Sequence, residues 1–350
     1  MSRIIKKIGI IGHYGFGENL SNGQTVKTKI VTDSLEKRYS SAEIIKKDTH
    51  GGIKALLYLP FLLLRLLKHC ENIIILPAQR GLRIMVPLLS FFNRFYHRRL
   101  HYCVIGGWMP ALIKDKRFLN GRLKGFDGIY VETTVMRTAL GSMGFSNVYI
   151  VPNCKPLTPS VDRADAVYSE PYHLCTFSRV MKEKGIEDAV SAVCAMNKKL
   201  GKTVFTLDIF GGVDASQTEW FEQLKATFPE FIRYRGVVPY DRSAVTIEPY
   251  FALLFPTHFY TEGIPGTIID AYAAGVPVVA AKWESFSDII DEGQTGIGYG
   301  FDDPDGLYRS LERVYNNPTC LIEMKNHCAD RMADYIPENA LLPLFEQIGA

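Results

Sequence analysis

The chain has 350 residues, of which 47% are hydrophobic and 22% charged, the composition of a soluble globular protein and a length that suits two ordinary domains. Its net charge of +3 hides an asymmetry: residues 1–150 hold 23 Lys and Arg against 9 Asp and Glu, a balance of +14, and the remainder carries −11, so the two halves are expected to meet different partners. Seven widely spaced cysteines with no Cys-x-x-Cys pair exclude a disulfide framework and a zinc site, and they read as reduced thiols.

The first residues, MSRIIKKIGIIG, have neither the apolar run nor the cleavage site of a signal peptide, and the longest apolar run, Ala55 to Leu64, is too short to span a bilayer. Neither export nor membrane spanning is expected. Lys7 to Gly12 reads as a first buried strand, followed by HYGFGENLSNGQTVKTK, where glycines 12, 15 and 17 let the backbone approach a ligand, and by a helix over Gln24 to Arg38. A dinucleotide site would need a shorter loop and an acidic residue ending the next strand, which Ser40 to Lys46 does not clearly supply, so no nicotinamide or flavin site is expected.

Residues 53–70 are nearly all apolar, with Pro60 expected to bend or interrupt the helix. Two readings stand: a connecting helix buried against the sheet, or a face with Leu62, Leu63, Arg65, Leu66 and Lys68 resting on a membrane surface. A second apolar helix, Leu82 to Phe95, runs into a basic cluster of Arg94, His97, Arg98, Arg99 and His101. This combination fits a peripheral protein on anionic lipid, and no recognised nucleic-acid motif accompanies it.

Further strands are expected at Asn72 to Leu76, at His101 to Ile105 before GGWMP, at Phe126 to Val131 with Glu132 and Thr133 offered for ligand contacts at its exit, and at Asn147 to Val151. The segment Asn153 to Val161, rich in Pro and turn formers, marks a domain boundary. Beyond it come a strand at Tyr172 to Phe177, then Arg179 and Lys184 five apart across a turn, and an amphipathic helix from about Ile186. Strands at Thr203 to Phe210 and Ile232 to Val238 follow, the latter ending in a turn at Pro239.

The stretch FPTHFYTEGIPGTIIDAYAAGVPVVAA, Phe255 to Ala281, has the order strand, turn, helix and strand, with the helix over roughly Gly266 to Ala274 and Gly275 ending it. A helix starting beside a strand end offers unpaired amides and a positive dipole end, which suits a diphosphate or a cluster of sugar hydroxyls. Glu262 and Asp270 bracket the turn, and His258 and Tyr260 before it read equally as structural or as ligand-facing. Asp303-Pro-Asp305 has the look of a metal-binding pair but sits in a late surface turn, so no metal is expected there. Ala340 to Ile348 closes the chain as a helix.

The Glu262-to-Asp270 segment closely resembles the signature of retaining family 4 glycosyltransferases of the GT-B fold: an acidic residue, seven others and a second acidic residue around a nucleotide-sugar. Asp270 departs by one methylene from the family's usual Glu. Arg179 and Lys184 match the family's phosphate-gripping pair, with Ser178 in the position of its usual Gly, and the Pro-Asn of PNCKP resembles its interdomain link. The likeness covers nearly all of residues 165–330 and residues 1–150 in outline.

The resemblance implies an α/β protein of two Rossmann-like domains with parallel sheets facing across a cleft. Residues 1–155 form the acceptor side, with a C-terminal helix at about 335–350 packing back on it, and 160–334 bind the donor. It further implies that Arg179, Lys184 and the amides of the Gly263, Ile264, Pro265, Gly266, Thr267 turn hold the donor diphosphate and Glu262 the sugar. Asp270 takes the ribose, the turn at Val238 the base, and Gly15 and Gly17 lie opposite the diphosphate. The family's histidine facing the reacting sugar is replaced by Gly106 and Gly107.

The expected reaction is metal-independent, cofactor-free transfer of a sugar, with retention, to a glycan or polyprenyl-diphosphate-linked acceptor in surface-polysaccharide synthesis. It is expected in the cytoplasm, on the inner membrane face, without nucleic acid. An inactive GT-B partner subunit and an epimerase-like enzyme acting on the donor alone are the alternatives. A hydrolase ranks lower, because Glu262 and Asp270 lie in one turn rather than flanking a glycan groove.

Overall fold

The computed structural model describes residues 5–17, 23–50, 52–158 and 168–349, with the backbone alone at 52–56. The last part of the expected boundary segment, 159–161, lies outside the described residues, as does the donor-side domain's expected start at 160. The chain divides into two compact units, Met1–Pro156 with Tyr335–Ala350, and Leu157–Asp334.

In the first unit β1 (Lys7–Gly12), β2 (Glu43–Asp48), β3 (Asn72–Ile75), β4 (Arg99–Cys103), β5 (Gly128–Val131) and β6 (Val148–Ile150) form one sheet in the order β2-β1-β3-β4-β5-β6, every pair parallel. Alternate side chains enter different cores, as the two-residue period of a strand requires. Ile73 and Ile75 face the core under helices Gly52–His69 and Gln79–Tyr96. Ile74 and Leu76 face the core shared with helix Gly23–Arg38 and the C-terminal helices Pro337–Ala340 and Leu342–Gly349. Burial on both faces is why these strands read as unbroken apolar runs.

Of the bend or interruption expected at Pro60, the interruption does not occur, since helix Gly52–His69 runs through it, as helix Gln79–Tyr96 runs through Pro87. Proline removes one backbone donor, and the burial of Leu59, Leu63, Leu66 and Leu67 on either side of Pro60 offsets that loss.

The second unit holds β7 (Tyr172–Phe177), β8 (Phe205–Phe210), β9 (Ile232–Gly236), β10 (Ala252–Phe255), β11 (Val278–Ala281) and β12 (Gly296–Tyr299) in the order β12-β11-β10-β7-β8-β9, again all parallel. The edge strand β12 is one that sequence reasoning missed. From β7 the chain winds outward through β8 and β9, then returns to the other side of β7 as β10. The carboxyl ends of β7 and β10 therefore lie side by side with their outgoing loops diverging, and in open α/β sheets such a reversal of strand order leaves a ligand crevice. In the first unit the reversal falls between β1 and β3.

Candidate donor site

Two loops leave the crevice of the second unit, residues 178–185 after β7 and 256–265 after β10. They touch closely. Gly185 has φ +66°, and a Cβ placed on it would lie 1.8 Å from the carbonyl oxygen of Pro256, while the His258 amide donates to Glu183 O at 2.8 Å. Only glycine permits this approach.

The contact delivers Lys184 to Glu262: the Lys184 ammonium ion-pairs with Glu262 Oε1, and Thr257 Oγ1 donates to the same oxygen at 3.2 Å. The rings of Phe255 and Phe259 flank the ammonium at 5.5 and 5.0 Å. The two charged side chains are 18% and 17% exposed, so the pair is shielded yet open to an incoming ligand.

Beside this pair, helix Gly266–Ala273 starts from Pro265, whose side chain provides no cap. Its first-turn amides and dipole form an anion-binding point, with Gly263 and Ile264 buried beneath. Thr267 Oγ1, shielded from water, has no hydrogen-bond partner among the described residues, an open valence of the kind a ligand satisfies. Gly275, at φ +60°, ends the helix as its position suggests. Asp270, expected at the ribose, is 2% exposed, so its carboxylate is enclosed and not presented to a ligand.

Arg179 sits at the neighbouring strand end, but its guanidinium is engaged elsewhere: Nη1 lies 3.5 Å from Asp214 Oδ2, and the side chain is 60% exposed. Asp214 caps the turn Ala215–Gln217, accepting from the Ser216 amide and hydroxyl, and these bonds, with a smaller contribution from Arg179, hold its carboxyl below the usual range. An exposed ion pair this long contributes little in water, so releasing Arg179 costs little.

Asp214 and Thr257 were missed from sequence; Asp-x-Ser is a capping pattern that could have flagged the first. His258 bonds Asp188 at 2.7 Å and so ties the turn to helix Ile186–Leu200, and Tyr260 meets the Phe301 ring at 5.1 Å. Val238 is half-buried in the turn after β9. Arg309 bonds Asp303 and comes within 4.0 Å of Asp305, offsetting part of the charge of that acidic pair.

In the first unit Gly15 and Gly17 both take positive φ, +62° and +88°, in the loop after β1. Asp48 gathers that loop, accepting amides of Tyr14 at 2.9 Å, Phe16 at 2.9 Å and His50 at 2.8 Å. Burial pushes its carboxyl up, but the three amides outweigh burial and hold it below the usual range. His13, missed from sequence, bonds Thr25 through Nδ1 at 2.8 Å and lies 3.1 Å from His50 through Nε2.

Three expectations for this unit are corrected. Glu132 is enclosed, 2.5 Å from the Lys27 ammonium, which also donates to Val104 O; Thr133 caps helix Thr134–Ser142, so neither is presented to a ligand. His101 lies inside the sheet between Tyr130 OH at 2.9 Å and Asn72 Oδ1 at 3.1 Å. The basic cluster is partly structural, because Arg98 donates to Leu67 O and Arg99 pairs with Asp127.

Residues 171–317 match the family described as Glycosyl transferases group 1. The second unit carries a group 1 glycosyltransferase domain. Over 150 residues the chain is 25% identical to a glycogen synthase of Mycobacterium tuberculosis, a match covering 42% of this chain and 35% of that protein. The chain thus spans about a third of the length of the curated relatives it matches.

Among solved structures it is similar to sucrose-phosphate synthase from Thermosynechococcus elongatus, with a TM-score of 0.76, 13% identity and 98% of each chain covered. It is also similar to Anabaena HepE in complex with UDP-glucose, with a TM-score of 0.72 and 14% identity over 98% of this chain and 99% of that one. The shared fold is GT-B. Within the group 1 glycosyltransferase domain, Lys184 and the helix start can neutralise an anion while Glu262 accepts hydrogen bonds from hydroxyls.

Proposed function

We propose that the chain transfers a sugar from a nucleotide-sugar to a hydroxyl of a glycan or polyprenyl-diphosphate-linked saccharide, with retention at the anomeric carbon, in the synthesis of a surface polysaccharide such as capsule or O-antigen. The observation that carries this reading is the meeting of Lys184, Glu262 and an uncapped helix start at the β7/β10 crevice of a group 1 glycosyltransferase domain. As the bond between the anomeric carbon and the phosphate oxygen breaks, negative charge grows on the departing diphosphate.

Lys184 exchanges Glu262 for that phosphate, Arg179 leaves Asp214 to join it, and the amides around Ile264 to Thr267 complete the cradle. Glu262, released from Lys184, holds the sugar hydroxyls and favours the cationic ring of the transition state. Val238 and its neighbours contact the base. In this reading fixed cations do the neutralising, and neither a metal nor a cofactor is required.

UDP-sugars are the first probes, because HepE of the same fold binds UDP-glucose. The enzyme works in the cytoplasm on the inner membrane face; among the described residues no helix is long and apolar enough to cross a membrane.

The test is a thermal-shift series with UDP, GDP, ADP and their sugars on wild type, Arg179→Ala and Lys184→Met, followed by proton NMR of the anomeric product. A nucleotide should stabilise wild type and lose that effect in both variants. Equal stabilisation of all three proteins removes the phosphate cradle, and an inverted anomer removes retention. The pairing of Lys184 with Glu262 also suits a silent binding subunit, and donor binding without turnover over a range of acceptors would favour that reading.

A further inference from the structure

The helices that cover one face of the first unit's sheet carry apolar side chains on their outer surface. On helix Gly52–His69, Leu57 is 75% and Phe61 63% exposed; on Gln79–Tyr96, Phe91 is 52% and Phe95 73% exposed. Spacings of four, four and three residues place Leu57, Phe61, Arg65 and Lys68 along one face of the first helix, and spacings of seven and four place Ile84, Phe91 and Phe95 along one face of the second. The inward faces share one core through Leu63, Leu66, Leu82 and Val86, so the two stripes lie side by side.

Their charge is of one sign. Neither helix contains an Asp or Glu, and Arg65, Lys68, Arg80, Arg83 and Arg94 are all exposed. Among the described residues none of the five pairs with a carboxylate. A surface bound for water would not set exposed phenylalanines among unpaired cations without a balancing acid. A lipid headgroup layer satisfies both features, since it takes aromatic rings at its apolar boundary and offers phosphates to guanidinium groups.

We propose that this surface seats the first unit on an anionic lipid bilayer, with Phe91, Phe95 and Phe61 entering the headgroup region and Arg83, Arg94, Arg65 and Lys68 meeting lipid phosphates. Helix Gln79–Tyr96 follows the carboxyl end of β3, so Arg80 and Arg83 lie at the same sheet edge as the loop of His13 and Gly15. The seat thus reaches the edge where a lipid-borne acceptor would arrive. This inference deepens the membrane location in the proposed function, but it does not rest on the transfer reaction, because vesicle binding needs neither donor nor turnover.

The full chain is floated with phosphatidylcholine vesicles and with phosphatidylcholine vesicles containing phosphatidylglycerol, at low salt and at about 0.5 M salt, where charge attraction is screened within a few ångströms. Binding should require phosphatidylglycerol and weaken in high salt. Phe91→Ser with Phe95→Ser should reduce it about tenfold or more, and Arg83→Gln with Arg94→Gln by about fivefold for each charge, with the thermal midpoint unchanged.

Leu57→Ser with Phe61→Ser, on the adjacent helix, repeats the test should the first pair fold poorly. Equal binding to neutral vesicles, no binding at all, or binding untouched by both apolar pairs overturns the proposal. So does a wild-type dimer in light scattering that Phe91→Ser with Phe95→Ser converts to monomer, which would assign the face to a second copy of the chain.

Discussion

His101 offers a direct measure of how the first unit responds to acid. Burial pushes its imidazole down from the ordinary 6.5 to about 4, with Asp127 opposing and Arg99 assisting; Tyr130 and Asn72 hold the neutral ring at its two nitrogens. As pH falls through 6.5 the unfolded chain takes up a proton that the folded chain refuses until about pH 4. Stability from this group is therefore complete above 6.5 and lost on acidification between those values. Linkage at about 1.4 kcal/mol per pH unit gives a loss of about 2 kcal/mol by pH 5 and about 3 kcal/mol by pH 4.

His101→Gln removes the titration, and at pH 7 it costs about 1 to 3 kcal/mol of its own through the disturbed hydrogen bonds. Urea unfolding of the full chain at pH 7 and pH 5 should show the transition of the first unit falling by about 2 kcal/mol more in wild type than in the variant. Other titrating groups act equally on both proteins and cancel. If the two lose the same stability over that range, or if the imidazole resonance of the folded protein titrates near 6.5, the reasoning is wrong.

Lys27→Met strands Glu132 in the interior and should cost about 3 to 5 kcal/mol, read from urea midpoints; Lys27→Met with Glu132→Leu should recover most of it. Gly185→Ala forces a Cβ against Pro256 O at a φ of +66° and should cost about 1 to 3 kcal/mol in the second unit, while lowering donor binding in calorimetry by shifting Lys184 from Glu262. Lys184→Met should lower kcat with a donor sugar by about 100- to 1000-fold, the loss typical of one charge-stabilising donor. An unchanged kcat would remove Lys184 from the reaction.

Much of the architecture is legible because both sheets are parallel and covered on both faces. Runs such as IIIL at 73–76 and ALLF at 252–255 have no other economical use than as buried strands. The missed strand β12 reads GIGY, with two glycines and little apolar weight. It is a strand because Val278 to Ala281 offers a parallel partner, and a Cβ at Gly296 would meet Val278 O at 2.3 Å. That reason lies in the neighbour and not in the segment. Pro60 misleads for the same cause, since the leucines around it fix the helix from the sheet side.

The charged residues show where spacing stops informing. Lys184 and Glu262 stand 78 residues apart, Lys27 and Glu132 105 apart, and Arg179 and Asp214 35 apart, and a sequence interval does not say which charges the sheet order will bring together. Glu132 read as ligand-facing from its place after β5, a position it shares with functional residues in many such sheets. Exposure separates its ion pair from that of Glu262. At 3% and 4% exposure, Lys27 and Glu132 are closed to exchange, because parting them leaves two buried charges that no solvent or ligand reaches. At 18% and 17%, beside a helix start with no side-chain cap, Lys184 and Glu262 can each take a new partner when a ligand brings both an anion and hydroxyls. One pair thus fastens a domain while the other can be divided by a substrate, and this difference, rather than the presence of two carboxylates near a turn, places the proposed chemistry at Glu262.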